Sequence, residues 1–322
     1  MLRAMFIAAS FWMPASFGIA NDAAVAASRA FTFEPSSLEQ EIPATFRLPE
    51  ATVSATEEAV SFDLARVTFP SPVASGHATN DVVHAEFYPA MDVRGKTGRR
   101  PAVIFLHYLD GNLALPRLFC KMFATKGVSS LLVKMPYYHE RRVGTDRRMI
   151  SPDAELTAAA VRQAVLDVRY ALAYLRQRPE IDPQRIGIAG ISLGGIVGSL
   201  AFELEPRLER GCFLLAGGDI ATMLWDSELT SKYRGEWEAA GVTKADLAGA
   251  FSQVDPATYP GRRAGRPVLL LAGRGDATVP EVCTKALVQA LDEPETVWFE
   301  GGHAPKPADV ADAMLRVMKF FE

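Results

Sequence analysis

Arg185-Ile186-Gly187-Ile188-Ala189-Gly190-Ile191-Ser192-Leu193-Gly194-Gly195 is the stretch on which the fold turns. Arg185 to Ala189 reads as a short, fully buried strand, and the small residues after Ser192 read as a tightly packed helix. Between them lies a G-x-S-x-G turn. By composition alone such a pentapeptide arises on the order of 0.1 times in a chain of this length. The strand before it and the helix after it are what give it weight. Glycines on either side of Ser192 let strand and helix approach closely while the serine is held in a strained conformation, its hydroxyl in the cleft.

Outward from this turn, short apolar runs alternate with helical periodicity, the pattern of βαβ units and a parallel sheet. The expected strands are Ala102 to Leu106, Ser129 to Val133, Arg185 to Ala189, Cys212 to Leu215, Val268 to Ala272 and Thr296 to Phe299. Val67 to Phe69 and Val82 to Tyr88 add a hairpin at the sheet's start, followed by a Gly/Lys/Arg loop from Arg94 to Arg100. A long helix is expected to open at Ser151-Pro152-Asp153, with Ser151 as its cap, Pro152 in the first turn and Asp153 suited to the helix dipole, and to end before Pro179. Between Asp219 and Pro260 the alternation stops, and Trp225, Trp237 and Phe251 suggest a helical insertion over the carboxyl edge of the sheet.

Residues 1–20 combine Arg3, an apolar run and Gly18-Ile19-Ala20, the pattern of a secretory signal peptide, so an exported protein, periplasmic or extracellular, is expected. Residues 21–65 are rich in Ser, Thr, Glu and Pro and read as an extended or loosely docked leader. Residues 66–322 then form the main α/β domain, with its insertion at about 219–260. With 49% hydrophobic residues, 22% charged residues and a net charge of -4, the chain can bury a large core and carries no overall basic field. Nucleic acid is not implied as a partner, nor is stable membrane insertion once the leader is removed; a small-molecule ester substrate fits better. Cys120, Cys212 and Cys283 match no metal-ligand spacing, and burial as free thiols is the reading preferred for all three. No metal or cofactor is implied.

A serine hydroxyl needs a base to become a nucleophile. Of five histidines, four (His77, His84, His107 and His139) precede Ser192, leaving His303 in Gly301-Gly302-His303 as the candidate base. Asp276, on the turn after the Val268 strand, is placed to orient His303, with Asp219 and Asp226 as alternative acids. The amide of Leu193 opens the helix after Ser192 and can face an oxyanion. The second donor is expected in His107-Tyr108-Leu109, with Leu109 the first choice and Tyr108 the alternative. His107 reads as a structural residue that bonds its own loop.

Pro136-Tyr137-Tyr138-His139-Glu140-Arg141-Arg142, followed by Arg147-Arg148, falls at the same sheet edge. A solvated loop with internal Arg–Glu pairs is the simpler reading; arginines that grip a substrate carboxylate are the functional one. On the second reading Tyr138, Arg141, Arg142 and, from the insertion, Trp225 are the substrate-binding candidates.

Together, the strand ending at His107, Gly190 to Gly194, Gly273 to Asp276 with Val279-Pro280, and Gly302-His303 resemble the α/β-hydrolase superfamily over roughly residues 67–322. The compact layout is similar to its dienelactone-hydrolase, acetyl-esterase and prolyl-peptidase-like branches. The resemblance implies a mostly parallel sheet of about eight strands with helices on both faces, and a serine hydrolase acting on esters through an acyl-enzyme. A peptidase or amidase on the same scaffold, and a catalytically silent binding protein, are the alternatives. The chain departs from the superfamily at His107-Tyr108, where members usually carry His-Gly.

Overall fold

The computed structural model describes residues 26–93, 97–145 and 147–322. The expected signal peptide, residues 1–20, lies outside the described residues, as do Arg94 to Lys96. The chain opens with β1 (Ala26–Phe33), β2 (Ala51–Ser61), β3 (Leu64–Pro70) and β4 (Val82–Tyr88). Alternation follows: β5 (Arg100–Leu106), α1 (Ala114–Thr125), β6 (Ser129–Lys134), α2 (Ala154–Arg176), β7 (Ile181–Ile191), α3 (Leu193–Leu204) and β8 (Gly211–Leu214). Three short helices come next, α4 (Ile220–Asp226), α5 (Ser231–Ala239) and α6 (Lys244–Phe251). The chain closes with β9 (Val268–Arg274), α7 (Glu281–Ala290), β10 (Glu295–Glu300) and α8 (Pro307–Phe321).

All ten strands form one sheet in the order β1-β2-β3-β4-β6-β5-β7-β8-β9-β10. β1 to β4 run antiparallel and β4 pairs antiparallel with β6, while every pairing from β6 to β10 is parallel. The central parallel strands β5, β8 and β9 are apolar and buried over most of their length because both their faces are covered. In β5, Ala102, Ile104 and Leu106 pack toward α2 and α3, and Val103 and Phe105 pack toward α1 and α8. The carboxyl ends of these strands therefore meet at one rim, where the loops of interest lie.

Two features differ from the sequence reading. Residues 26–61 are not a loosely docked leader: they supply β1 and β2, which extend the sheet from about eight strands to ten. The physical reason is Phe31-Thr32-Phe33. Its two rings, separated by one residue, point to the same side and sit edge-on or tilted against the buried Tyr170 and Tyr174 of α2. Glu39 adds an ion pair to the buried Arg169 of α2, which also pairs with Glu205. Second, the cap of α2 is Asp153, whose side chain accepts from the Leu156 amide at 3.0 Å; Ser151 lies outside the helix and donates to the Asp153 carbonyl.

Candidate active site

Ser192 stands at the junction of β7 and α3 with φ 53° and ψ -117°, a conformation that costs a non-glycine residue energy. The turn persists because its neighbours lack side chains. A Cβ on Gly190 would lie 2.1 Å from the Gly194 carbonyl oxygen, and one on Gly194 would lie 2.5 Å from the carbonyl oxygens of Leu106 and His107. The glycines thus seat α3 directly against β7 and against the end of β5. The Ser192 amide donates to the Leu214 carbonyl at 2.7 Å, which ties the turn to β8.

The Asp276 and His303 loops are pressed together in the same manner. A Cβ on Gly273 would fall 2.2 Å from the Gly302 carbonyl oxygen, and Gly302 itself has φ +68°. His303 Nδ1 lies 2.7 Å from Asp276 Oδ2, and His303 Nε2 lies 2.9 Å from Ser192 Oγ. A carboxylate only accepts, so Nδ1 carries the proton and donates to it, leaving Nε2 to accept from the Ser192 hydroxyl. Asp276 is fixed in turn by the amides of Thr278 and Val279, each donating to Oδ1 at 2.8 Å. The structure therefore brings Ser192, His303 and Asp276 into one hydrogen-bonded chain. The other two acids stand elsewhere: Asp219 caps α4 through the Thr222 amide, and Asp226 pairs with Lys244.

His107 is completely buried below the neighbouring turn. Its Nε2 accepts from the Met135 amide at 3.1 Å, so Nδ1 bears the proton and donates to the Tyr108 carbonyl at 2.9 Å. Burial pushes its pKa down from 6.5 to about 4, so the ring is neutral at physiological pH. The Gly111 amide also donates to the Tyr108 carbonyl, at 3.1 Å. In a trans peptide the N–H points opposite to the C=O, so the Leu109 amide faces away from His107. Leu109 lines the same cavity as Ser192 and Leu193. The Tyr108 amide belongs to the peptide whose oxygen is packed against Gly194.

That cavity is narrow, 70 Å³, and almost wholly apolar, with Ile150, Val161, Ile196, Ile220, Met223 and Leu224 among its walls. Beside it lies a wider basin of 530 Å³ that includes Tyr138 and Arg142. Tyr138 donates its hydroxyl to the Leu109 carbonyl at 2.6 Å, bracing that loop. Two expected binding residues are not at the site. Arg141 is fully buried, its guanidinium donating to the Asn80 and Lys134 carbonyls and paired with Asp167 at 2.8 Å. The buried Asp167 carboxylate inside α2 draws it inward, away from any substrate. Trp225 stacks on Trp237 at 6.1 Å within the insertion and lines neither space. Ile150, Leu229, Thr230 and Lys232 also line these spaces, and nothing in the local sequence marks them, since single apolar, polar or basic residues outside a motif carry no signal.

The sequence profile of the prolyl oligopeptidase family matches residues 159–321, half of the chain, from α2 to α8. Protein Rv2627c of Mycobacterium tuberculosis is 27% identical over 194 residues, which is 57% of this chain and 44% of that protein. Thiohydrolase aneE of Aspergillus aculeatus is 29% identical over 112 residues, 34% of this chain and 32% of that one. The matches thus span less than half the length of these curated relatives. Among solved structures, an acetyl xylan esterase from Paenibacillus sp. R4 superposes with a TM-score of 0.59 at 16% identity, covering 91% of this chain and 88% of its own. A puromycin-hydrolyzing peptidase of Mycobacterium tuberculosis gives 0.58 at 18% identity, over 84% of this chain and 45% of that chain. At such identities the likeness is one of fold. The profile match across α2 to α8, on a fold shared with these hydrolases, shows that the chain belongs to the prolyl oligopeptidase family of α/β hydrolases.

Proposed function

We propose that the protein hydrolyses ester bonds of small molecules through an acyl-enzyme, with Ser192 as nucleophile, His303 as general base and acid, and Asp276 as the group that orients His303. The observation that carries this reading is the Ser192–His303–Asp276 hydrogen-bonded chain at the mouth of an apolar cavity. Ser192 Oγ attacks the carbonyl carbon as its proton passes to His303 Nε2, and Asp276 stabilises the imidazolium so formed. The oxyanion is received by the Leu193 amide, at the start of α3 where amides lack intrahelical acceptors, and by the Leu109 amide. His303 then protonates the leaving alcohol, and water repeats the sequence to release the acid.

Ester rather than amide substrates are supported by the narrow, apolar cavity at Ser192 and by the near-complete overlap with an acetyl xylan esterase, set against partial overlap with a peptidase. Peptide or amide hydrolysis is the second reading, favoured by the family match. Steady-state turnover of short p-nitrophenyl esters decides the first claim: Ser192→Ala should lose about 10⁴-fold or more in kcat while keeping its fold. Turnover of aminoacyl amides in preference to esters would reverse the ranking. A site that fails to react with a fluorophosphonate would leave a silent binding protein. Export is proposed on the pattern of residues 1–20, and N-terminal sequencing of the protein secreted from its host should begin near Asn21.

A further inference from the structure

The apolar cavity at Ser192 and the wider basin share Leu109, Ile150, Leu229 and Thr230, so the two spaces adjoin across these four residues. Four cations stand in the basin wall: Arg142, Arg147 and Arg148 from the loop after β6, and Lys232 from α5. They come from two segments far apart in sequence, and the chain as a whole carries a net charge of -4, so the cluster is not a sample of the general surface. Among the described residues one carboxylate, Asp110, joins them in the wall, and its Oδ1 already accepts from the Asn112 amide at 2.6 Å.

Nearby cations are paired: Lys134 with Glu140 at 2.6 Å, Arg141 with Asp167 at 2.8 Å, Arg234 with Glu238 at 3.0 Å. Among the described residues no ion pair joins Arg142, Arg147, Arg148 or Lys232 to a carboxylate. Arg147 is also positioned. Its guanidinium lies 5.1 Å from the Tyr137 ring centroid, Nη2 donates to the Tyr137 hydroxyl at 3.4 Å, and its Nε is buried without an acceptor among the described residues. Like charges gathered in a concave wall repel one another and focus a positive potential into the space they enclose. A guanidinium presents paired N–H donors that match carboxylate and phosphate oxygens.

We propose that this basin holds an anionic group, a carboxylate or a phosphate, carried by the ester substrate beyond the scissile bond. The inference rests on the hydrolase reading of Ser192 and gives that site its substrate class. The narrow cavity takes the small uncharged part of the substrate, and the boundary at Leu109 and Leu229 spaces the anion from the carbonyl.

The test compares 4-acetoxybenzoate, its neutral methyl ester and 4-acetoxyphenyl phosphate, each rate normalised to hydroxide-catalysed hydrolysis of the same compound. One or both anionic esters should exceed the neutral one in kcat/KM by about tenfold or more at low ionic strength, and the ratio should shrink as salt screens the basin. Comparing the two anions identifies carboxylate or phosphate as the group recognised. Arg142→Gln with Lys232→Gln should lower the ratio by about tenfold, chiefly through KM; Arg148→Gln, at an exposed position, is an independent variant. A ratio near one in the parent protein, or one that the variants leave unchanged, overturns the proposal. Ser192-dependent hydrolysis of the neutral ester without anion preference removes this inference alone, whereas hydrolysis that survives Ser192→Ala removes the reading beneath it.

Discussion

Two loops meet at the carboxyl edge of the sheet, and they are built on opposite plans. The turn at Ser192 is packed backbone on backbone: what shapes it is the absence of Cβ atoms at Gly190 and Gly194. The loop from Tyr137 to Arg148 is shaped by long charged side chains, and neighbours in sequence part company, Arg141 entering the core and Arg142 facing the basin. The first plan leaves its mark in the local sequence. The second depends on what waits across the fold.

The sharpest break of the first plan is Gly190→Ala. The new methyl would sit 2.1 Å from a backbone oxygen that cannot yield without separating β7 from α3. We expect loss of Ser192-dependent turnover and a stability cost of at least about 4 kcal/mol by urea denaturation. A variant with an unfolding midpoint close to that of the parent would show that the turn is not set by this contact.

The second plan is tested on adjacent residues. Burial raises the Asp167 carboxyl above its ordinary range, and Arg141 opposes that shift. Arg141→Met strands a buried acid and should cost about 3 to 5 kcal/mol, with most of that recovered when Asp167→Leu is added. Arg142→Met, on the exposed side, should stay within about 0.5 kcal/mol. Equal effects at the two positions would erase the distinction drawn between them.

A smaller effect joins the two loops, because His107 supports the Leu109 turn from beneath and bonds to the Met135 amide that begins the arginine loop. Its folded pKa, about 4, lies below the unfolded value of 6.5. The unfolded chain therefore binds the extra proton first as the medium acidifies, so this contribution is complete above pH 6.5 and is lost as pH falls from there toward 4. The loss amounts to about 3 kcal/mol at the acid end. Thermal unfolding across that window should fall more steeply for the parent than for His107→Gln; identical slopes would assign the acid sensitivity to other groups.

Much of the rim was legible in the chain order. Ser192, Asp276 and His303 each follow an apolar strand on a glycine-bearing turn, and the structure brings these three side chains together. Arg141 and Trp225 were misplaced because their partners, Asn80 with Asp167 and Trp237, do not flank them. The N-terminal segment was misread for a related reason. Its apolar content is low, and two phenylalanines make a strand there only because α2, more than a hundred residues later, offers Tyr170 and Tyr174 to receive them.

By itself, then, the sequence determined the strands from Val67 onward, the sharp turns and the candidates for the reacting groups, because periodicity and glycine act through the backbone over a few residues. The tertiary structure decided which charges are buried and which are presented, how many strands the sheet holds, and that a cationic basin from the β6–α2 loop and α5 opens beside Ser192. A side chain's direction is set by the partner that lowers its burial cost, and that partner is chosen by the fold rather than by its neighbours along the chain.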